Sequence, residues 1–261
     1  MQLLGKTALV CGSTQGIGLA AAMALAESGA NVVLMARSEE RLAATLSRLP
    51  RPNQTQRHST ASADFSHPAS AAAAVDRWLA GGDSIHILVN NSGGPPGGPI
   101  VAATAEAFVA AFQSLLVTSH LISQAVVPGM KAAGYGRIIN VVSTSVRQPL
   151  KGLGVSNTVR GAVASWAKTL AGELGPFGIT VNNILPGATR TSRLDAVIDN
   201  RAQATGHPRE KVEAEMLAEI PLGRFAAPEE IAHAIRFLAS PDAAYITGVS
   251  LPVDGGRISS L

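Results

Sequence analysis

The chain runs to 261 residues yet holds one cysteine, two tryptophans and two tyrosines. A lone thiol closes no internal disulfide, which excludes a cross-linked secreted scaffold, and Cys11 reads as a small buried filler at a strand end. Charge is also scarce. Charged residues make up 15% against 46% hydrophobic, a balance suited to a buried parallel sheet and a sizeable subunit interface. The net charge of +3 comes without a basic block, so nucleic-acid binding gains no support. No long apolar run is free of charges and turn residues, so no transmembrane helix is expected. Met1–Lys6 leads into the first strand without the pattern of a signal peptide. These absences predict a cytoplasmic protein without a metal site, built as a single domain over 1–261.

Small residues, by contrast, are plentiful. The apolar run Thr7–Val10 reads as a buried strand and enters Gly12-Ser13-Thr14-Gln15-Gly16-Ile17-Gly18; Leu19–Ala26 reads as a helix. A glycine-rich turn between strand and helix presents backbone N–H groups and a positive dipole end to an anion. A second strand, Asn31–Met35, stands at the distance expected of a dinucleotide-binding unit. Where an acidic residue would take the ribose hydroxyls of NAD, the chain has Arg37 and Ser38, which suit a 2′-phosphate. Arg37 favours NADP(H) over NAD(H); its other reading is a solvated loop charge.

Further strands are expected at His58–Ala63, from Ile85 to the Asn90-Asn91-Ser92-Gly93 exit, at Arg137–Ser143, Ile179–Leu185 and Val249–Val253. Helices are expected over Arg41–Leu49, Thr104–Ala133 with a kink at Pro128, Ser156–Leu174 and Pro228–Ala239. Asp64, followed by Phe65, is either an adenine ligand or a helix N-cap. Pro95–Pro99 forbids regular structure and forms a loop over the site. The charged stretch 191–220, broken at Gly206-His207-Pro208, suits a helical substrate lid. The alternation predicts an α/β, Rossmann-type, doubly wound parallel sheet with helices on both faces.

In this order, the glycine turn, Asp64, Asn90–Gly93, Ser143, Pro186-Gly187 and the tail from Tyr245-Ile246-Thr247-Gly248 to Val253-Asp254-Gly255-Gly256 resemble the short-chain dehydrogenase/reductases. The resemblance spans nearly the whole chain and leans toward 3-oxoacyl-[acyl-carrier-protein] reductases. It implies NAD(P) binding by Gly12–Gly18, with Asp64 near adenine, Asn91, Ser92 and Gly93 along the ribose, and Pro186 and Gly187 beside the nicotinamide. The family works with an Asn-Ser-Tyr-Lys tetrad, and Ser143 matches its serine. Thirteen residues on, Ser156 stands where the tyrosine belongs, Arg160 replaces the lysine, and Leu115, beside Ser114, takes the asparagine position. The run Ser156-Asn157-Thr158-Val159-Arg160 looks like that of a divergent subgroup with the same imperfect tetrad.

An alkyl hydroxyl is a poor general acid near neutral pH, and arginine shuttles no protons. Ser143, Ser156 and Arg160 are the candidate catalytic residues, with Lys151 and His120 as recruits for the proton. Two readings stay open. One is a reductase that moves hydride between nicotinamide and a small carbonyl or alcohol, including acyl thioesters; the other is a nucleotide-binding protein without turnover. The resemblance also implies a homotetramer or homodimer.

Overall fold

The computed structural model describes residues 1–260. Seven parallel strands form one sheet among the described residues, in the order β3-β2-β1-β4-β5-β6-β7. They are β1 (Thr7–Cys11), β2 (Asn31–Ala36), β3 (Ser59–Ser62), β4 (Ile87–Asn90), β5 (Gly136–Val141), β6 (Ile179–Pro186) and β7 (Ser250–Val253). The chain builds outward from β1 to β3, then crosses back to lay β4 on the other side of β1. That reversal leaves a crevice beyond the carboxyl ends of β1 and β4, where open α/β sheets bind ligands.

The central strands run apolar because both of their faces are covered. In β1, Ala8 and Val10 point into one buried cluster and Leu9 and Cys11 into the other. The first cluster is closed by α1 (Gly16–Glu27), α2 (Glu39–Leu46) and α9 (Pro228–Ala239). Alanines 20, 21 and 24 on α1 and Ala232 on α9 are buried here, and such small side chains let helices approach closely. The second is closed by α3 (Pro68–Leu79), α5 (Thr118–Ala132) and α6 (Gly154–Leu174). Truncating a fully buried leucine in either layer, such as Leu25 or Leu88, costs about 2–5 kcal/mol.

Three features lie beyond the expected elements. Helix α3 was unassigned in the sequence, because Ala69–Ala74 offers too little polar contrast to show a periodic face. The long helix is α4 (Ala105–Phe112), one π turn over Gln113–Val117, and α5, so its hydrogen-bond ladder changes at the π turn as well as at Pro128, which has no N–H to donate. This rod, Ala105–Ala132 with mean hydropathy 1.4, is long and apolar enough by composition to cross a membrane. Here its inner side packs on α3 and α6. The stretch 191–220 does fold as a helical pair, α7 (Ser192–Thr205) and α8 (Arg209–Ala218), around a small core of its own that includes Leu194, Ile198, Val212 and Met216.

Candidate functional site

The glycine turn lies at the crevice. Gly12 has φ of 61°, and a Cβ on it would stand 2.6 Å from the Asn91 carbonyl oxygen. A Cβ on Gly18 would fall 2.1 Å from the carbonyl oxygen of Gly12, so only glycine permits this packing of strand on helix. Asn91 ties the turn to β4: its side-chain amide donates to the carbonyls of Cys11 (3.2 Å) and Gly12 (3.3 Å). The N-terminus of α1 and the turn held open by Gly12, Gly16 and Gly18 fit a dinucleotide diphosphate.

Not every residue of the turn faces outward. Ser13 is fully buried, and its N–H and hydroxyl both reach the Met35 carbonyl at 3.4 Å. It holds the turn to β2. Thr14, Gly16 and Ile17 are half-buried and Gln15 is exposed. Arg37 is exposed, without a carboxylate partner among the described residues. Ser38 caps α2 by accepting the Arg41 N–H at 3.2 Å. Arg41, a neighbour that motif spacing missed, reaches Gln15 Oε1 at 3.4 Å, so two arginines flank the far end of the turn.

Asp64 is not the cap of α3; His67 holds that position. One Asp64 oxygen accepts the N–H and hydroxyl of Ser66, which hold its carboxyl below the usual range, and the other has no protein partner among the described residues. Phe65 contributes its carbonyl to the Thr118 hydroxyl at 2.7 Å. That same hydroxyl also reaches the Gln113 carbonyl at 3.0 Å, within the π turn. Ser92 donates to the Ser114 carbonyl at 3.5 Å, and Gly93 is exposed. Gly187 follows Pro186 at the end of β6 and donates to the Val253 carbonyl at 2.9 Å.

The centre of the site lies at the end of β5. Ser143 accepts the Ser145 N–H at 3.0 Å, so its hydroxyl proton is free to donate outward. Arg160, one turn along α6 from Ser156, donates Nε–H to the Ser156 hydroxyl at 3.2 Å and its terminal nitrogen to the carbonyls of Val141 and Val142. Burial first, then the neighbouring charge of Arg193, push its guanidinium down to about 10, which leaves it charged at neutral pH. Leu115 is buried and lines a narrow crevice with Asn90, Ser92, Ser119, Asn140 and Arg160, so position 115 itself contributes no amide. Asn157 holds the preceding loop by pairing with both backbone groups of Leu150.

The comparisons decide the family. A family model described as enoyl-(acyl carrier protein) reductase matches residues 12–257. The chain belongs to the short-chain dehydrogenase/reductase family. It is 36% identical over 259 residues to the putative ketoacyl reductase of the monensin polyketide synthase of Streptomyces virginiae, covering 98% of each chain. It is 34% identical to the 3-oxoacyl-[acyl-carrier-protein] reductase FabG of Vibrio cholerae serotype O1, again covering 98% of each. The L-sorbose reductase of Gluconobacter frateurii, solved with NADPH and L-sorbose, superposes with a TM-score of 0.91 at 32% identity and 100% coverage of both.

Seen as a short-chain dehydrogenase/reductase site, the crevice brings no phenol or lysine to Ser143. Tyr135 lies at the opposite end of β5 with its hydroxyl on the Ala239 carbonyl at 2.9 Å, and Tyr245 is fully exposed. Lys168 bonds the Gly248 carbonyl at 3.1 Å. Of the two expected recruits, His120 accepts the Trp166 indole N–H at 3.3 Å, while Lys151 is exposed on the loop before α6.

Proposed function

We propose that this chain is an NADP(H)-dependent oxidoreductase that moves hydride between nicotinamide and a carbonyl or alcohol. In this reading the oxygen is handled by Ser143, Ser156 and Arg160. The placement of Arg160 carries it: one cation bonds Ser156 and the two carbonyls immediately before Ser143, so charge and both hydroxyls meet at one strand end. A bound nicotinamide supplies or receives the hydride. Gly12–Gly18 would hold the diphosphate, Arg37 and Arg41 the 2′-phosphate, and Asn91–Gly93 with Pro186-Gly187 the ribose and ring.

In the reducing direction, hydride adds to the carbonyl carbon and the π pair moves to oxygen. Ser156 already accepts an N–H from Arg160, so its own proton is free to hydrogen-bond the oxygen, as is that of Ser143. The adjacent guanidinium stabilises the negative charge that develops there. Water then protonates the alkoxide. The helical pair α7–α8 is placed to cover the crevice as a lid, since Thr191 at its base lies 3.1 Å from where a Gly16 Cβ would stand. The exposed Val109 and Phe112 support self-association through the long rod as a dimer or tetramer.

A second reading, nucleotide binding without turnover, is favoured by the lack of any phenol at the site. The deciding experiment screens ketones, oxo acids and 3-oxoacyl thioesters for NADPH oxidation by the native protein and by a Ser156→Tyr, Arg160→Lys variant. Turnover by the native protein supports the first reading. Silence from the native protein with activity in the variant supports the second.

A further inference from the structure

Five arginines near the carboxyl edge and its helical pair have carboxylate partners: Arg190 with Glu213, Arg201 with Glu215, Arg209 with Asp195 and Asp199, Arg224 with Glu230, and Arg257 with Glu219. Arg160 and Arg193 have none among the described residues, yet they point at the same place. A Cβ on Gly94 would stand 3.1 Å from a terminal nitrogen of Arg160 and 3.5 Å from one of Arg193. Arg193 otherwise donates only to the Pro95 carbonyl, at 2.7 Å, and a neutral carbonyl cancels no charge.

Two like charges brought together repel each other, the more so because Arg160 is half-buried. Position adds to the imbalance. Arg193 occupies the first turn of α7, the positive end of a 14-residue helix, where an acidic residue is the favourable choice. Asp195, the acidic residue of that turn, is engaged by Arg209, so the guanidiniums of Arg160 and Arg193 meet beside Gly94 without a carboxylate of their own among the described residues.

We infer that the missing counterion is the carboxylate of the substrate, and that the compound handled here is a small oxo acid or its hydroxy acid, held by Arg160 from below and Arg193 from the lid. The inference rests on the oxidoreductase reading of the same site. Arg160 is bonded to Ser156 at the reacting end, while Arg193 lies two residues past Thr191, whose methyl approaches Gly16 of the diphosphate cradle. A substrate carboxylate and a cofactor phosphate are therefore the two anions to be told apart. An anion between Arg160 and Arg193 would sit a few atoms from an oxygen held by Ser143 and Ser156, which matches a carboxylate close to the carbonyl. Two charge-assisted contacts, one of them able to be bidentate, also make a neutral ester a much poorer ligand.

The test is calorimetric titration of the full-length protein, saturated with NADP⁺, with 3-hydroxybutyrate, its methyl ester and inorganic phosphate, for the native chain and Arg193→Gln. The same titrations are run without nucleotide. The inference predicts that the acid binds at least about tenfold more tightly than the ester, that R193Q removes this preference, and that NADP⁺ affinity stays within about twofold. Equal binding of acid and ester overturns it. So does an R193Q variant that loses NADP⁺ affinity in step, or one in which only phosphate is affected, since the arginine then serves the cofactor. Failure to bind the acid with or without nucleotide overturns it as well. If the acid binds as described while no oxo acid oxidises NADPH, the oxidoreductase reading falls and the anion site stands.

Discussion

At position 156 an alkyl hydroxyl accepts an N–H from Arg160, and this bond sets the chemistry available to the site apart from that of a phenol–lysine pair. No group within reach of Ser143 changes charge near neutral pH. The kcat/KM for carbonyl reduction is therefore expected to be flat from about pH 6 to 9, falling only as the Arg160 guanidinium, held down to about 10, loses its proton. A pH–rate profile checks this, and a bell with a limb near neutrality would expose a proton donor elsewhere. Arg160→Met leaves Ser156 and the Val141 and Val142 carbonyls without their donor. It should lower kcat/KM roughly a hundredfold and cost about 1–3 kcal/mol in chemical denaturation. Gly18→Ala places a methyl carbon against the Gly12 carbonyl and is expected to abolish nucleotide binding, read by loss of fluorescence transfer to bound NADPH.

Between the site and the core runs a feature that belongs to the strands together. Asn90, Asn140, Asn183 and Ser250 are register partners across β4, β5, β6 and β7, and their side chains form one chain of hydrogen bonds. The spacings are 2.9, 3.0 and 3.1 Å, with each amide donating to the next residue. The three asparagines are buried, so each amide depends on its neighbour. Asn140→Leu strands the Asn90 amide and the Asn183 oxygen at once, and should lower Tm by roughly 5–15 °C. The sequence read alone placed the sheet well, because buried strands and glycine exits are local signals. It read the asparagines singly, since register is a property of pairs of strands. The π turn has no sequence signature comparable to a cap, and the meeting of Arg160 with Arg193 joins two helices that only the fold brings together. A motif shows which residues make a turn and leaves open which way each one faces, so the burial of Ser13 is visible only in the fold.

Taken whole, the molecule loses stability in acid through groups far from the crevice. His58 and His86 each accept a backbone N–H at Nδ1, from Val32 at 3.1 Å and Thr7 at 3.2 Å, so both are held neutral. Burial lowers both pKa values below 6.5, so the unfolded chain takes up protons first as pH falls. Stability is fully present above that value and declines below it, a loss that urea titrations between about pH 7.5 and 5 should show and that His58→Gln should reduce. Glu230 adds a later step: Arg224 holds its carboxyl down to about 2, so its contribution is present above the ordinary value and fades as pH falls through about 2. Self-association through the long rod predicts that Val109→Glu with Phe112→Glu yields smaller particles in light scattering. The most direct test of the central claim is a titration of the native protein with NADPH and NADH, followed by single-turnover oxidation of the bound NADPH with an oxo acid. The account predicts tighter binding of NADPH than NADH, and oxidation that Arg160→Met suppresses. Equal affinity for the two would remove the role given to Arg37 and Arg41, and bound NADPH that no carbonyl compound oxidises would contradict the oxidoreductase assignment.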